Sequence, residues 1–415
     1  MLLLMEYKIS LMKNAFYAQS GGVTSVINCS AYGLFKSFKK HFSNSNIFIG
    51  KNGIVGLIEN EIYDLSKTQK SLDLLLESPG GMFGSCRFQL PDPESDSSFY
   101  EKIFKKFEEK NIGYFFYNGG NDSADTCLKI HRAARILNFD LCAIAIPKTI
   151  DNDLAVTDNC PGFGSVAKYI AISSKEASLD IKSMCKTSTK VFILEVMGRH
   201  AGWIAAAGEL ANQNGSYVHK ILLPEVPFDE TKFLNGISND VDKDGFSVVI
   251  ASEGLKNSSG ELYSASKEVD SFGHAQLGGL APKLAELVNK NLKIKYHWSV
   301  SDYLQRSARH ISSKTDVDQA IAVGEVAAKM AVEAKSGFMP IIKRLGNEPY
   351  KWEIDIGDLN EIANKEKVLP NNFISNCGFR ITDEGISYLS PLIQGESYPK
   401  YKDGLPSYEQ LDLHF

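Results

Sequence analysis

At 415 residues the chain exceeds one ordinary hydrophobic core, so two domains are the default reading. Its 45 basic and 50 acidic residues nearly balance and no long basic run occurs, which argues against a nucleic-acid surface. No apolar stretch is long enough to span a membrane, Glu6 interrupts the short opening run Met1–Met5, and the seven scattered cysteines form no Cys-x-x-Cys pair, so a reducing cytoplasm fits better than a disulfide or zinc framework.

Residues 1–12 read as an N-terminal extension, with Met12 as an alternative start. Asn14 to Ala18 then reads as a strand, Gln19-Ser20-Gly21-Gly22-Val23-Thr24 as a glycine turn, and the stretch to about Lys40 as a helix. The loop Ser85 to Ser98, rich in Pro, Asp and Ser, reads as a segment that would order on ligand binding. The device then repeats: Ile112 to Tyr117 as a strand, Asn118-Gly119-Gly120-Asn121-Asp122-Ser123 as the turn, and Ala124 to about Leu137 as a helix. Glycines let backbone N–H groups approach an anion closely, and the helix N-terminus behind them adds partial positive charge, so such turns commonly hold phosphates.

The most informative stretch follows the apolar run Leu141 to Ile146. It is Pro147-Lys148-Thr149-Ile150-Asp151-Asn152-Asp153, a strand end carrying a lysine, a hydroxyl and two carboxylates. Ligands of open α/β sheets bind beyond the carboxyl ends of strands. Two acids spaced i, i+2 beside a lysine suit a reaction that removes a hydroxyl proton while handling an anion. Gly162-Phe163-Gly164-Ser165-Val166-Ala167 fits a dinucleotide pattern, but it follows Asn159-Cys160-Pro161 rather than a strand, so helix entry is the better reading. No P-loop segment occurs.

Further apolar strands fall at Val191 to Val196, Lys220 to Leu223 and Phe246 to Ala251. A long amphipathic helix lies near Val317 to Ala334, and beyond Phe338 the tail reads as irregular packing on the lobes or at an interface.

These residues together resemble the phosphofructokinases, and within them the pyrophosphate-dependent group. The resemblance runs from about Asn14 to Gly337. It is carried, in the family's order, by Gly80 to Arg87, Gly119 to Ser123, Lys148 to Asp153, Glu195 to Trp203, Ser252-Glu253-Gly254 and Asp302-Tyr303-Leu304-Gln305-Arg306. It implies an α/β fold of two Rossmann-like three-layer lobes with the active site in the cleft between them. A phosphoryl-donor lobe would cover residues 13–150, completed by about 301–337, a sugar-phosphate lobe 151–300, and a C-terminal extension 338–415.

The implied reaction is transfer of a phosphoryl group to the 1-hydroxyl of fructose 6-phosphate, in glycolysis or gluconeogenesis. By resemblance Asp151 is the general base, with Asp153 tuning its proton affinity and Thr149 and Ile150 in the same segment. Met197, Gly198 and Arg199 line the sugar, Glu253 binds a sugar hydroxyl, Tyr303 and Arg306 clamp the distal phosphate, and Arg87 lies near the transferred phosphate. Gly21, Gly22, Gly119, Gly120 and Ser123 form the donor site. Lys190 aligns with an arginine that reaches a neighbouring subunit, implying a homodimer or homotetramer.

Two substitutions point to inorganic pyrophosphate as donor. Asp122 replaces a glycine of the ATP-type loop, where a carboxylate would meet the α-phosphate of ATP; like charges about 4 Å apart at an effective dielectric of about 20 repel by roughly 4 kcal/mol, up to about a thousandfold in affinity. Lys148 replaces another glycine and can meet the transferring phosphoryl group, and the two side chains are expected to pair across their loops. Mg²⁺ is implied, with Asn121 as its candidate protein ligand and the diphosphate oxygens holding most of it. A second echo of the phosphate clamp, Gly273-His274-Ala275-Gln276-Leu277-Gly278-Gly279, lacks the arginine, and His274 reads as structural. An ATP-dependent enzyme, a catalytically silent sugar-phosphate-binding subunit, and sedoheptulose 7-phosphate as acceptor remain the alternatives.

Overall fold

The computed structural model describes residues 13–269 and 275–414, so the N-terminal extension and the Gly273-His274 echo lie outside the described residues. Its first half alternates strand and helix. In order come β1 (Asn14–Gln19), α1 (Ile27–His41), β2 (Ile47–Gly50), β3 (Ile62–Asp64), α2 (Ser97–Glu109), β4 (Ile112–Gly119), α3 (Asn121–Ile136) and β5 (Cys142–Pro147). Every residue of β4 and β5 is buried, as continuous apolar runs in a parallel sheet must be when helices cover both faces. Alternate residues divide between two cores. Phe16, Phe115 and Ala143 point to one face, and Tyr17, Phe116 and Ile144 to the other. Asp96 caps α2 by accepting from the Phe99 N–H at 3.2 Å, which explains where the Ser85 to Ser98 loop gives way to helix.

The second half opens with the long helix α4 (Phe163–Met184), followed by β6 (Val191–Val196), β7 (Lys220–Leu222), α5 (Glu230–Asp244), β8 (Ser247–Ser252), the short antiparallel pair β9 (Ala265–Val269) and β10 (Ala275–Leu277), α6 (Leu280–Leu292) and β11 (Tyr296–Val300). Its own sheet runs β11-β6-β8-β7, all parallel. After α7 (Asp302–Ser307), the helix α8 (Lys314–Val332) returns to the first sheet and lies against α1. That crossing is closer than side chains permit. A Cβ on Gly33 would run into the Ile321 carbonyl oxygen, and one on Gly324 into that of Ser30.

The C-terminal region is more regular than the sequence reading expects. β12 (Phe338–Asn347) lies parallel to β5, with Phe338 opposite Ile144, and β13 (Tyr350–Asp358) folds back antiparallel on it. The first sheet is therefore seven-stranded, ordered β13-β12-β5-β4-β1-β2-β3. Burial alternates along β13 and the outer part of β12, leaving one face of the hairpin to solvent. A final helix, α9 (Asp383–Leu389), packs its Leu389 into the second lobe's core. Among the described residues no helix is long and apolar enough to cross a membrane.

Candidate active site

Register brings the chemistry-bearing turns level with one another. Gln19 lies opposite Asn118 and Gly119 opposite Pro147, so β1, β4 and β5 end side by side at their carboxyl edge. The turn after β1 is held firmly: Gly21 donates its N–H to the Cys86 carbonyl at 2.9 Å and its own carbonyl accepts from Ser85 Oγ at 2.7 Å. Gly21 has φ +75°, a conformation that strains any side chain, and a Cβ there would stand 3.3 Å from Lys148 Nζ. A Cβ on Gly119 would collide with Ser123 Oγ.

Lys148 is only 2% exposed. Its ammonium donates to the carbonyls of Ser20 at 2.7 Å and Gly22 at 2.5 Å, binding the β5 end to the β1 turn. The anticipated pairing with Asp122 is not formed. α3 starts at Asn121 rather than Ala124, which puts Asp122 in its first turn with an exposed carboxylate, while the carbonyls take up Lys148. Burial lowers Lys148 to about 7; the Arg306 guanidinium pushes the same way, and Asp151 and Asp153 oppose it.

Asp151 shows the complementary shift. Burial raises its carboxyl to about 8, reinforced by the charges of Asp153 and Glu253 and countered by Lys148 and Arg306. Its backbone N–H takes Thr149 Oγ1 at 3.1 Å. Between the two acids, Asn152 adopts the left-handed conformation with φ +54°, fixed by its amide to Tyr388 Oη at 3.0 Å and by the Cys160 N–H to Oδ1 at 3.0 Å. Asp153 is raised too, first by burial, and its Oδ1 is buried without a hydrogen-bond partner. The Ile150 side chain enters the second lobe's core.

The opposite wall comes from β6, β8 and α7. Gly198 follows β6 with φ +137°, and a Cβ there would sit 2.8 Å from both the Ala201 carbonyl and Ser252 Oγ. Its N–H donates to Glu253 Oε1 at 3.3 Å. Burial raises Glu253 to about 7 against that bond and the Arg199 charge. Met197 is half-buried, and its N–H meets Gln305 Oε1 at 3.4 Å. Arg306 stacks 3.8 Å over the Tyr303 ring and reaches across to Gly22, where a Cβ would stand 2.9 Å from its Nη1. Arg87 is exposed, and close enough to contribute to the Lys148 shift. Lys190 is elsewhere: it precedes β6, at the end away from Met197, with Nζ on the Cys185 carbonyl at 2.8 Å.

Several contributors have a role that the sequence does not signal. Asn121, the expected metal ligand, accepts from the Asn364 N–H at 2.6 Å and donates to the Lys365 carbonyl at 2.8 Å. Lys367 donates its N–H to the Asp153 carbonyl at 2.7 Å and its Nζ to the carbonyls of Thr157 and Asp158 at 3.0 and 2.6 Å. Arg344 pairs with Asp158 at 3.0 Å. Among the described residues no group of three or more His, Cys, Asp and Glu side chains forms a cage for a metal ion.

The site is thus a cleft with cations and carboxylates from both sheets converging on one volume, suited to phosphoryl transfer. Comparison with known proteins agrees. The phosphofructokinase family profile matches residues 14–331. The chain is 50% identical to the pyrophosphate-fructose 6-phosphate 1-phosphotransferase of Halomonas elongata, covering 97% of this chain and 96% of that protein. The crystal structure of a pyrophosphate-dependent phosphofructokinase from Nitrosospira multiformis superposes with a TM-score of 0.89 at 48% identity, and that from Marinobacter aquaeolei with 0.88 at 50%, each covering 97% of both chains.

Proposed function

Since the chain belongs to the phosphofructokinase family, we propose for it the reaction of its near-full-length relatives, with each step assigned to residues of the cleft. It transfers a phosphoryl group from inorganic pyrophosphate to the 1-hydroxyl of fructose 6-phosphate, giving fructose 1,6-bisphosphate and phosphate. Asp151 takes the hydroxyl proton as the sugar oxygen attacks the terminal phosphorus, and the bridging P–O bond breaks to release phosphate. The observation that carries this reading is the buried Lys148 between the β1 and β5 turns, adjacent in charge to Asp151.

Lys148, lowered to about 7, regains its proton as the diphosphate enters, and the restored ammonium favours release of the proton from Asp151, itself raised to about 8. Burial disfavours both charges in the free cleft, and the polyanionic donor is the natural counterpart of the Lys148 charge, not of the Asp151 carboxylate. Asp122 excludes a nucleotide by charge and bulk at the start of α3. Met197, the Gly198 backbone, Arg199 and Glu253 receive the sugar, and Tyr303 and Arg306 its 6-phosphate.

Mg²⁺ suits the hard oxygens of Asp151 and Asp153, and the orphaned Asp153 Oδ1 is a buried acceptor in need of a partner. When held by these carboxylates, it would neutralise charge on the diphosphate. Balanced charge and scattered cysteines support a cytoplasmic enzyme. Assembly as a homodimer or homotetramer would give Lys190 a neighbouring site to reach.

Initial rates with fructose 6-phosphate, Mg²⁺ and either pyrophosphate or ATP test the proposal. Turnover with pyrophosphate alone is expected. Turnover with ATP instead would overturn the donor assignment, and none with either would overturn the reaction.

A further inference from the structure

Residues 364–369 touch all three parts of the cleft, yet all but Lys367 and Leu369 are exposed. At one end the Asn121 amide grips the Asn364 N–H and Lys365 carbonyl, and Asn364 Nδ2 donates to Asp125 at 2.9 Å. In the middle Glu366 bridges to Leu154 and Lys367 holds the carbonyls of Asp153, Thr157 and Asp158. At the other end Trp203 Nε1 donates to the Lys367 carbonyl at 2.9 Å, and Glu225 Oε1 accepts from both Leu369 N–H and Gly202 N–H at 3.0 and 2.9 Å. Six extended residues reach at most about 20 Å. Such a short segment cannot follow independent movements of α3, the catalytic segment and the β6 end.

We infer that residues 364–369 are a positioning strap and that Asn121 is its latch, fixing the first turn of α3, and with it Asp122, relative to Asp151 and Asp153. The latch requires an amide. A planar group carrying one acceptor and one donor satisfies Asn364 N–H and Lys365 C=O together, whereas an ionised carboxylate accepts only and would face the Lys365 carbonyl oxygen with like charge. Asn121 therefore acts through the backbone of the strap. The inference deepens the pyrophosphate reading, and its kinetic arm rests on that reading.

The test uses the full-length protein and the variants Asn121→Asp and Lys367→Met, with Asn121→Ala in reserve should the aspartate fail to fold. Amide hydrogen exchange comes first, because it is independent of activity. Asn121→Asp is expected to speed exchange at Asn364 and also at Lys367, three residues away, by roughly tenfold. With pyrophosphate, each single variant is expected to lower kcat by roughly tenfold while the KM for fructose 6-phosphate stays within about twofold. The double variant should be no slower than the slower single one, since both cut the same strap. Additive losses in kcat, or exchange at Lys367 unmoved by Asn121→Asp, would overturn the inference. If the wild-type protein turns over no pyrophosphate, the functional reading fails while the exchange result still decides the strap.

Discussion

The wall proposed for the donor and the wall proposed for the sugar carry similar charge but hold it differently. Lys148 is 2% exposed and bound to two carbonyls, whereas Tyr303 is 62% exposed and carries the Arg306 guanidinium on its ring. On the donor side, Lys148 is locked by backbone carbonyls before any ligand arrives. On the sugar side, long side chains on the six-residue helix α7 can still rearrange around what they bind. Preorganised charge lowers barriers, because it need not be reoriented during reaction, while adaptable charge mainly sets affinity. Substitutions on the donor wall should therefore appear in kcat, and those on the sugar wall in KM.

The largest effect is expected at the base. Asp151→Ala should lower kcat by about a thousandfold with little change in the KM for fructose 6-phosphate, as steady-state kinetics would report; a loss below about tenfold would remove Asp151 from that role. Lys148→Met should cost about a hundredfold in kcat. It bears also on pH. Asp151 must lose a proton near 8 and Lys148 keep one near 7, so kcat/KM should rise and then fall with a maximum between those values, and only the alkaline limb should vanish in Lys148→Met.

Arg306→Ala should raise the KM for the sugar about tenfold, leaving kcat closer to wild type. Because Arg306 also holds Lys148 down, its removal should shift the alkaline limb upward, a readout by which the two walls are seen to touch. The smallest effects separate two glycines. Gly198→Ala, strained at φ +137° and crowded by a carbonyl, should cost about 1–3 kcal/mol in thermal or denaturant unfolding. Gly22→Ala meets only the movable end of Arg306, so its cost should stay below about 0.5 kcal/mol.

The strand ends were legible because their signal is local: an apolar run stopping at glycine and charge marks a carboxyl edge whatever surrounds it. That is why the turns at Gly21, Gly119 and Lys148 could be recognised. Asn121 is a metal candidate only through the family resemblance, because it stands where the ATP-type loop has an aspartate associated with magnesium. Its actual partners are backbone atoms 243 and 244 residues away. The strap itself is polar and mostly exposed, and it works through N–H and C=O groups that every residue possesses, so no side-chain pattern announces it. The β12–β13 hairpin was missed for another reason. Its alternation is plain in Tyr350 to Asp358, but Pro340 interrupts β12, and pairing with β5 spans nearly two hundred residues of intervening chain.

The most direct test of the donor assignment is the ratio of kcat/KM for pyrophosphate to that for ATP, measured on the wild-type enzyme and on Asp122→Gly combined with Lys148→Gly. A ratio strongly favouring pyrophosphate is expected in the wild type, falling by at least about a hundredfold in the double variant as ATP becomes able to bind. An unchanged ratio would contradict that assignment and place donor choice outside the two loops.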